Sequence, residues 1–152
     1  MIQRIQSVYL FLAGIIPAIT FLSPLAFLRI DGGELIIKAI SYEAANYPIN
    51  SSTIPWGIAL PMVLLMVVNL LNIFCYMNRK RQIRLTGWAI VITVLIYISL
   101  ITYIVLFANK TAASVSPAPM ALAPLISLAF TLLARRAIKK DEALVRAADR
   151  IR

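Results

Sequence analysis

Four long apolar runs are the feature that most constrains what this chain can fold into. They occupy about residues 8–28, 56–77, 88–108 and 118–134, and the last of them is the shortest. A helix needs roughly 20 mainly apolar residues to cross the hydrocarbon core of a bilayer. Helices at the surface of a soluble protein instead carry a polar face. We therefore predict an integral membrane protein with four transmembrane helices.

Composition supports the membrane class and disfavours most catalytic chemistry. The chain is 61% hydrophobic and 14% charged, and it has no histidine and one cysteine, Cys75. Soluble proteins average roughly 45–50% apolar and 25% charged residues. None of the four runs contains Asp, Glu, Lys or Arg, although ionisable groups within the membrane normally mark proton or ion pathways. We expect no enzymatic activity, no metal site, no cofactor and no ion-coupled transport.

The basic residues predict the orientation of the chain in the membrane. Arg4, the loop 78–87 and the tail 135–152 lie on one side of the membrane and together carry the whole net charge of +9. The other side carries as many acidic as basic residues. Because cytoplasmic flanks retain Lys and Arg, both termini are predicted to be cytoplasmic.

The expected fold is a single domain, residues 1–152, of the all-α class. It is an antiparallel four-helix transmembrane bundle with a small extracytoplasmic cap, an inner loop at 78–87 and a cytoplasmic helix at 135–152. The tail has no Pro or Gly, so the fourth helix should continue through it. Within the outer loop, residues 29–55, the segment ELIIKAISY is rich in β-branched residues and predicts a strand or short hairpin as the cap.

Polar residues within the second and third runs allow two interpretations. Asn69 and Asn72 share one face of the second helix, and Tyr97 lies on the third. Such side chains commonly form hydrogen bonds between membrane helices. Alternatively, the three residues border a polar cleft for a lipid headgroup or a small solute.

The tail carries an apolar stripe at helical spacing that an acid interrupts. Asp141 projects among Ala137, Ile138 and the following apolar positions, and we expect it to pair with Arg79, Arg81 or Arg84, or with the N-terminus of the first helix. The other possibility is that the stripe is half-buried and Asp141 stays in water. The stripe predicts a surface for docking to another protein, formed by Asp141, Leu144, Val145, Ala148 and Ile151.

The basic clusters flank the second, third and fourth runs and predict contact with anionic phospholipid headgroups. Interleaved aromatic residues for base stacking are absent from the tail, so nucleic acid is not expected as a partner. The residues predicted to meet lipid headgroups are Arg79, Lys80, Arg81, Arg84, Arg135, Arg136, Lys139 and Lys140.

The sequences at both ends of the chain resemble those of a protein family. MIQRIQSVYLFLA at the start and RRAIKKDEALVRAADRIR at the end resemble domain-of-unknown-function family 4293, small inner-membrane proteins of Bacteroidota. The matching positions are residues 1–10 and 137–152, with KKDEALVRAADR the most distinctive. The resemblance implies four spans, a location in the bacterial inner membrane and no assigned enzymatic activity.

Two functions are therefore expected from the sequence. The first is a non-enzymatic accessory or scaffold subunit of a membrane complex, which docks to an inner-membrane or cytoplasmic protein through its basic amphipathic C-terminal helix. The alternative is a protein that binds or transports a lipid or small solute through the polar residues of spans two and three. The two differ in whether a protein or a small molecule is retained on purification.

Overall fold

Helices account for most of the chain in the computed structural model, which describes residues 2–30, 33–45 and 54–149. Short 3-10 turns cover Cys75–Met77 and Pro119–Leu122. The α-helices are α1 (Ile2–Phe21), α2 (Trp56–Phe74), α3 (Arg79–Thr111) and α4 (Ala123–Asp149). Helix α1 packs against α2 and α4, and α3 likewise packs against α2 and α4. In the described residues, three segments are long and apolar enough to cross a membrane, Trp56–Met77, Arg79–Lys110 and Pro119–Val145.

The first helix differs from the prediction of a helix over residues 8–28. Helix α1 ends at Phe21, and its apolar part, Ile5–Phe21, is shorter than the other three segments. A proline disfavours the helical conformation of the residue before it, and Pro24 follows Ser23 directly. The amide of Ser23 closes the last turn on the carbonyl of Thr20 at 3.1 Å. Residues 24–28 of that run belong to a strand instead.

A four-stranded antiparallel sheet corrects the prediction of an all-α fold. Its strands have the order β3-β2-β1-β4 and are β1 (Pro24–Ile30), β2 (Gly33–Lys38), β3 (Tyr42–Ala45) and β4 (Ser114–Pro117). The strand predicted within ELIIKAISY is confirmed as β2. Residues 31–32 and 46–53 of the predicted outer loop lie outside the described residues.

The sheet packs onto the ends of α2 and α3 through one shared core. Leu28 pairs with Leu35 of β2 and with Val115 of β4, and both leucines are fully buried. They belong to one apolar cluster with Leu65 of α2 and Ile96 of α3. Because strands β1 and β4 directly follow α1 and α3, the sheet lies at the helix ends opposite to Arg79.

Tyr42 anchors β3 to helix α3. Its ring centroid lies 5.0 Å from that of Phe107, and the residue is buried. This burial, and secondarily the neighbouring Tyr103, raises the pKa of the Tyr42 phenol above its ordinary value. The phenol is therefore kept in its neutral form where it packs.

The predicted inner loop, residues 78–87, is helical instead. Helix α3 begins at Arg79, and the amides of Arg81 and Gln82 donate to the Asn78 carbonyl at 2.9 and 3.1 Å. Residues 79–86 contain no Pro or Gly, so nothing in them opposes a helix. The connection between α2 and α3 is thereby reduced to a single 3-10 turn and Asn78. The predicted continuation of the fourth helix into the tail is confirmed, since α4 runs without a break to Asp149.

Candidate functional site

An ion pair at the basic end of the helices joins the start of α3 to the second half of α4. Arg79 Nη2 lies 3.2 Å from Asp141 Oδ2, and Arg79 Nη1 donates to the Asp141 carbonyl at 3.3 Å. The Asp141 side chain is only 16% exposed. The predicted pairing of Asp141 with a cation of the segment 79–84 is thus confirmed, and the alternative of a solvated Asp141 is wrong. Its charge is satisfied within the chain, which leaves it poorly suited to contact a partner directly.

The apolar stripe of the tail divides into a covered and an uncovered part. Ile138 is fully buried, whereas Leu144 and Val145 are exposed by 53% and 42%. Ala148 lies where only the helix backbone is described, and Ile151 lies outside the described residues. The uncovered part of the stripe therefore begins about one turn beyond Asp141. Docking through these residues stays a prediction.

Asn69 links three helices. It is fully buried, its Nδ2 donates to the Ala13 carbonyl, and its Oδ1 accepts from Thr131 Oγ1, both at 3.4 Å. Ser127 Oγ donates to the same Ala13 carbonyl at 2.6 Å. These bonds connect α2 with α1 and α4, and they satisfy polar groups that would otherwise be unpaired in an apolar interior.

Asn72 forms a second, separate link from α2 to α3. Its Nδ2 donates to the Gln82 carbonyl at 3.4 Å, and Gln82 Nε2 donates to the Asn72 carbonyl at 3.1 Å. Both side chains are buried. The two residues therefore hold the ends of α2 and α3 together on either side of the turn.

Tyr97 is not brought together with the two asparagines. Its hydroxyl donates to the Ala121 carbonyl at 2.6 Å. Along α3 it lies about 22 Å from Gln82, the partner of Asn72, at 1.5 Å per residue. The hydrogen bonds of all three side chains fit the interhelix alternative. A cleft shared by the three residues stays a prediction.

Replacement of Asn69 by leucine is expected to lower the free energy of unfolding by about 1 kcal/mol, because hydrogen bonds between membrane helices contribute on that order. The fold should persist, since Ser127 still satisfies the Ala13 carbonyl. Thermal unfolding in detergent measures the effect, with Asn109→Leu as the matched control because Asn109 is exposed. Equal stability of the wild type and Asn69→Leu would contradict a structural role for the amide.

Several buried polar residues were not predicted from the sequence. Gln82 and Thr86 are buried on the same face of α3 as Ala89 and Thr93, at positions i, i+4, i+7 and i+11. This spacing is the signature of one helical face. It could have been found in the sequence had residues 78–87 been treated as helix, and it would have indicated that the basic segment is part of the packed structure.

The eight basic residues predicted to meet lipid headgroups lie together at the end of the helices that carries the Arg79 pair. Those beyond Arg79 are mostly exposed, and Arg135 is half-buried. Among the grooves beside them in the described residues, two are bordered by both α3 and α4. The larger, about 760 Å³, lies between the start of α3 and the tail. The smaller, about 400 Å³, lies beside Gly87 and is lined by both α3 and α4. In the described part of the chain, no three His, Cys, Asp or Glu side chains are grouped so as to hold a metal ion.

Comparisons with known proteins concern the chain as a whole. Neither the curated proteins nor the solved structures provide a match. A family model does match, over residues 2–151, and its description is domain of unknown function, DUF4293. This match covers essentially the whole chain and agrees with the resemblance of its two ends. The chain therefore belongs to the DUF4293 family.

Proposed function

We propose that the chain is a four-span protein of a bacterial inner membrane, in which α1–α4 form an antiparallel transmembrane bundle. Three long apolar segments support this placement, and α1 lies alongside two of the same helices. The basic end faces the cytoplasm by the positive-inside rule, where its cations meet anionic headgroups. The sheet at the opposite end is then the extracytoplasmic cap.

The function that the geometry supports best is that of a non-enzymatic accessory or scaffold subunit. The observation that carries this proposal is the uncovered pair Leu144 and Val145. The pair lies beyond the fourth apolar run, residues 118–134, on a helix that continues to Asp149. Arg79 holds Asp141, one turn earlier, against the start of α3. Asp141 therefore positions the tail, and the apolar residues beyond it contact an inner-membrane or cytoplasmic protein. A rigid helix lowers the entropic cost of such binding.

Replacement of Leu144 and Val145 together by serine is expected to remove the partner. The tagged chain is purified from its own host after photo-crosslinking from position 140, which is exposed on the same helix and carries the same photo-reactive residue in every variant. Retained proteins are quantified by mass spectrometry. A partner held by these side chains should fall about tenfold or more, which corresponds to about 1.4 kcal/mol. Ala143→Ser with Ala147→Ser is the matched control, because both alanines are exposed on the same helix.

Two outcomes would contradict docking through the tail. One is a single crosslinked partner that the Leu144→Ser, Val145→Ser variant retains at the wild-type level. The other is a chain with Leu144 and Val145 intact that forms no crosslink from position 140 and purifies alone. Loss of the partner from the alanine control as well would indicate that the tail acts through its helix content and not through these two side chains.

A further inference from the structure

The groove of about 400 Å³ between α3 and α4 lies where both helices change from charged to apolar. Arg84 is the last charged residue before the third apolar run, and Arg135 is the first after the fourth. The two helices run in opposite directions, yet both arginines line this one groove. The lining residues are Ile83, Arg84, Gly87, Trp88, Val91 and Arg135. One end of the groove is therefore cationic, and the residues toward the middle of α3 are apolar.

Gly87 leaves a notch in the groove that none of the described residues fills. A Cβ added at this position would meet nothing within 4 Å. Glycine is unfavourable inside a helix, and within membrane helices it commonly allows a second helix to approach closely. Gly14 is of that kind, because a Cβ there would lie 3.0 Å from Leu70 Cδ2. Gly87 has no such neighbour, so the space beside it is open to a molecule from outside.

The two arginines at the cationic end of the groove have no acidic partner in the described part of the chain. The Arg135 Nε atom is buried and has no hydrogen-bond partner among the described atoms. None of the described carboxylates forms a salt bridge with Arg84 or Arg135; the described pairs are Arg29–Glu34, Lys38–Glu43 and Arg79–Asp141. A guanidinium presents several N–H donors in a plane that matches the oxygens of a phosphate.

The apolar side of the groove suits a hydrocarbon chain. Trp88 is 61% exposed and Val91 is 48% exposed, and both follow Arg84 along the same side of α3. Tryptophan prefers the level of the headgroups at a membrane surface. The groove thus presents an anion site, then an indole ring and then an apolar surface. This order is complementary to an amphiphile with a phosphate head.

We propose that this groove binds one anionic phospholipid, with its phosphate between Arg84 and Arg135 and one acyl chain over Gly87 and Val91. The inference rests on the transmembrane placement proposed above, but not on docking through the tail. It differs from general attraction of anionic lipid to a basic surface, because it requires a shaped notch as well as charge.

Native mass spectrometry of the purified chain in neutral detergent tests the proposal, with phosphatidylglycerol and phosphatidylcholine as probes. One phosphatidylglycerol per chain should bind about tenfold more tightly than phosphatidylcholine. Arg84→Gln with Arg135→Gln should weaken its binding by about tenfold or more. Arg136→Gln with Lys139→Gln removes the same charge from exposed positions outside the groove and should leave most of the binding.

The variant Gly87→Leu tests whether lipid binding requires the shape of the groove in addition to its positive charge. It keeps every cation and fills the open notch, so phosphatidylglycerol binding should fall as in the double arginine variant while the melting temperature is maintained. Wild-type lipid binding by Gly87→Leu, or an equal loss in the Arg136→Gln, Lys139→Gln control, would overturn the proposal in favour of nonspecific attraction.

Two further measurements test which class of ligand binds in the groove and whether the chain spans the membrane. Displacement of phosphatidylglycerol by inorganic phosphate at equal concentration would overturn the lipid in favour of a free anion. Extraction of the chain from membranes at alkaline pH would overturn both the transmembrane placement and the lipid site. If the chain resists that extraction but does not distinguish the two lipids, only the lipid site is overturned.

Discussion

Replacement of Leu65 by alanine is expected to lower the free energy of unfolding by about 3 kcal/mol, because a buried leucine loses its packing and leaves a cavity. Leu65 is fully buried in the apolar cluster that joins α2, α3 and the sheet. Leu71, less than two turns further along α2, is 54% exposed. Leu71→Ala is expected to change the free energy of unfolding by less than about 0.5 kcal/mol, as for most surface substitutions.

The pair Leu65→Ala and Leu71→Ala is a matched comparison within one helix. Both substitutions remove the same atoms from the same apolar segment, so a change in the partitioning of α2 into detergent or lipid affects both equally. Reversible unfolding in mixed micelles measures the difference between them. Equal destabilisation would show that α2 presents a different face to α3 and the sheet than the one described above.

Breaking the Arg79–Asp141 pair is the second large expected effect. Asp141→Ala is expected to lower the free energy of unfolding by about 2 kcal/mol. Removing one partner of a fully buried pair costs about 3–5 kcal/mol, and the partial exposure of both side chains, 26% and 16%, reduces that figure. Much of the effect arises because the Arg79 cation keeps a half-buried position without its carboxylate.

A double-mutant cycle with Arg79→Ala isolates the pair. The two single variants should each be destabilised, and the double variant should be more stable than their sum by about 1 kcal/mol or more. Lys140→Ala is a suitable control, because this exposed cation is adjacent to Asp141 in sequence and no salt bridge to it is among those described. Strictly additive effects of Arg79→Ala and Asp141→Ala would contradict a direct interaction.

The Arg79 and Asp141 variants should affect the proposed docking as well as the free energy of unfolding. The ion pair attaches the second half of α4 to the start of α3, and Leu144 and Val145 lie just beyond it. Loss of the pair should therefore weaken partner capture even though both apolar side chains are retained, since the tail would no longer be held in one direction. Lipid binding beside Gly87 should be affected less, because neither residue of the pair lines that groove.

Much of the helical architecture could be predicted because it depends on local properties. The positions of α2, of α3 from residue 88 onward and of the first part of α4 follow from long apolar runs. The helical tail follows from the absence of Pro and Gly after residue 134. The end of the first helix was predicted wrongly for a specific reason. The residues PLAFL suit a buried strand as well as a membrane helix, and periodicity does not separate the two within a short apolar run.

The candidate site was predictable only in part. Asp141 is an acidic residue within the apolar stripe of the tail, and this position indicated that it needs a cationic partner. The sequence reduced the candidate partners to a few arginines. The selection of Arg79 depends on how α3 and α4 cross. The groove at Gly87 had no signal in the sequence, because an open notch and a close helix contact both call for the same small residue.

By itself, the sequence determined the apolar segments, the end of the molecule that carries the net charge and the continuation of α4 into the tail. Each of these follows from residues that are neighbours along the chain. Only the tertiary structure decided that Leu65 and not Leu71 is buried, that Arg79 meets Asp141, and that β1 pairs with β4. The reason is physical: a helix that is apolar on every side carries no local record of which face is covered. That choice is made by packing against segments far away in the sequence.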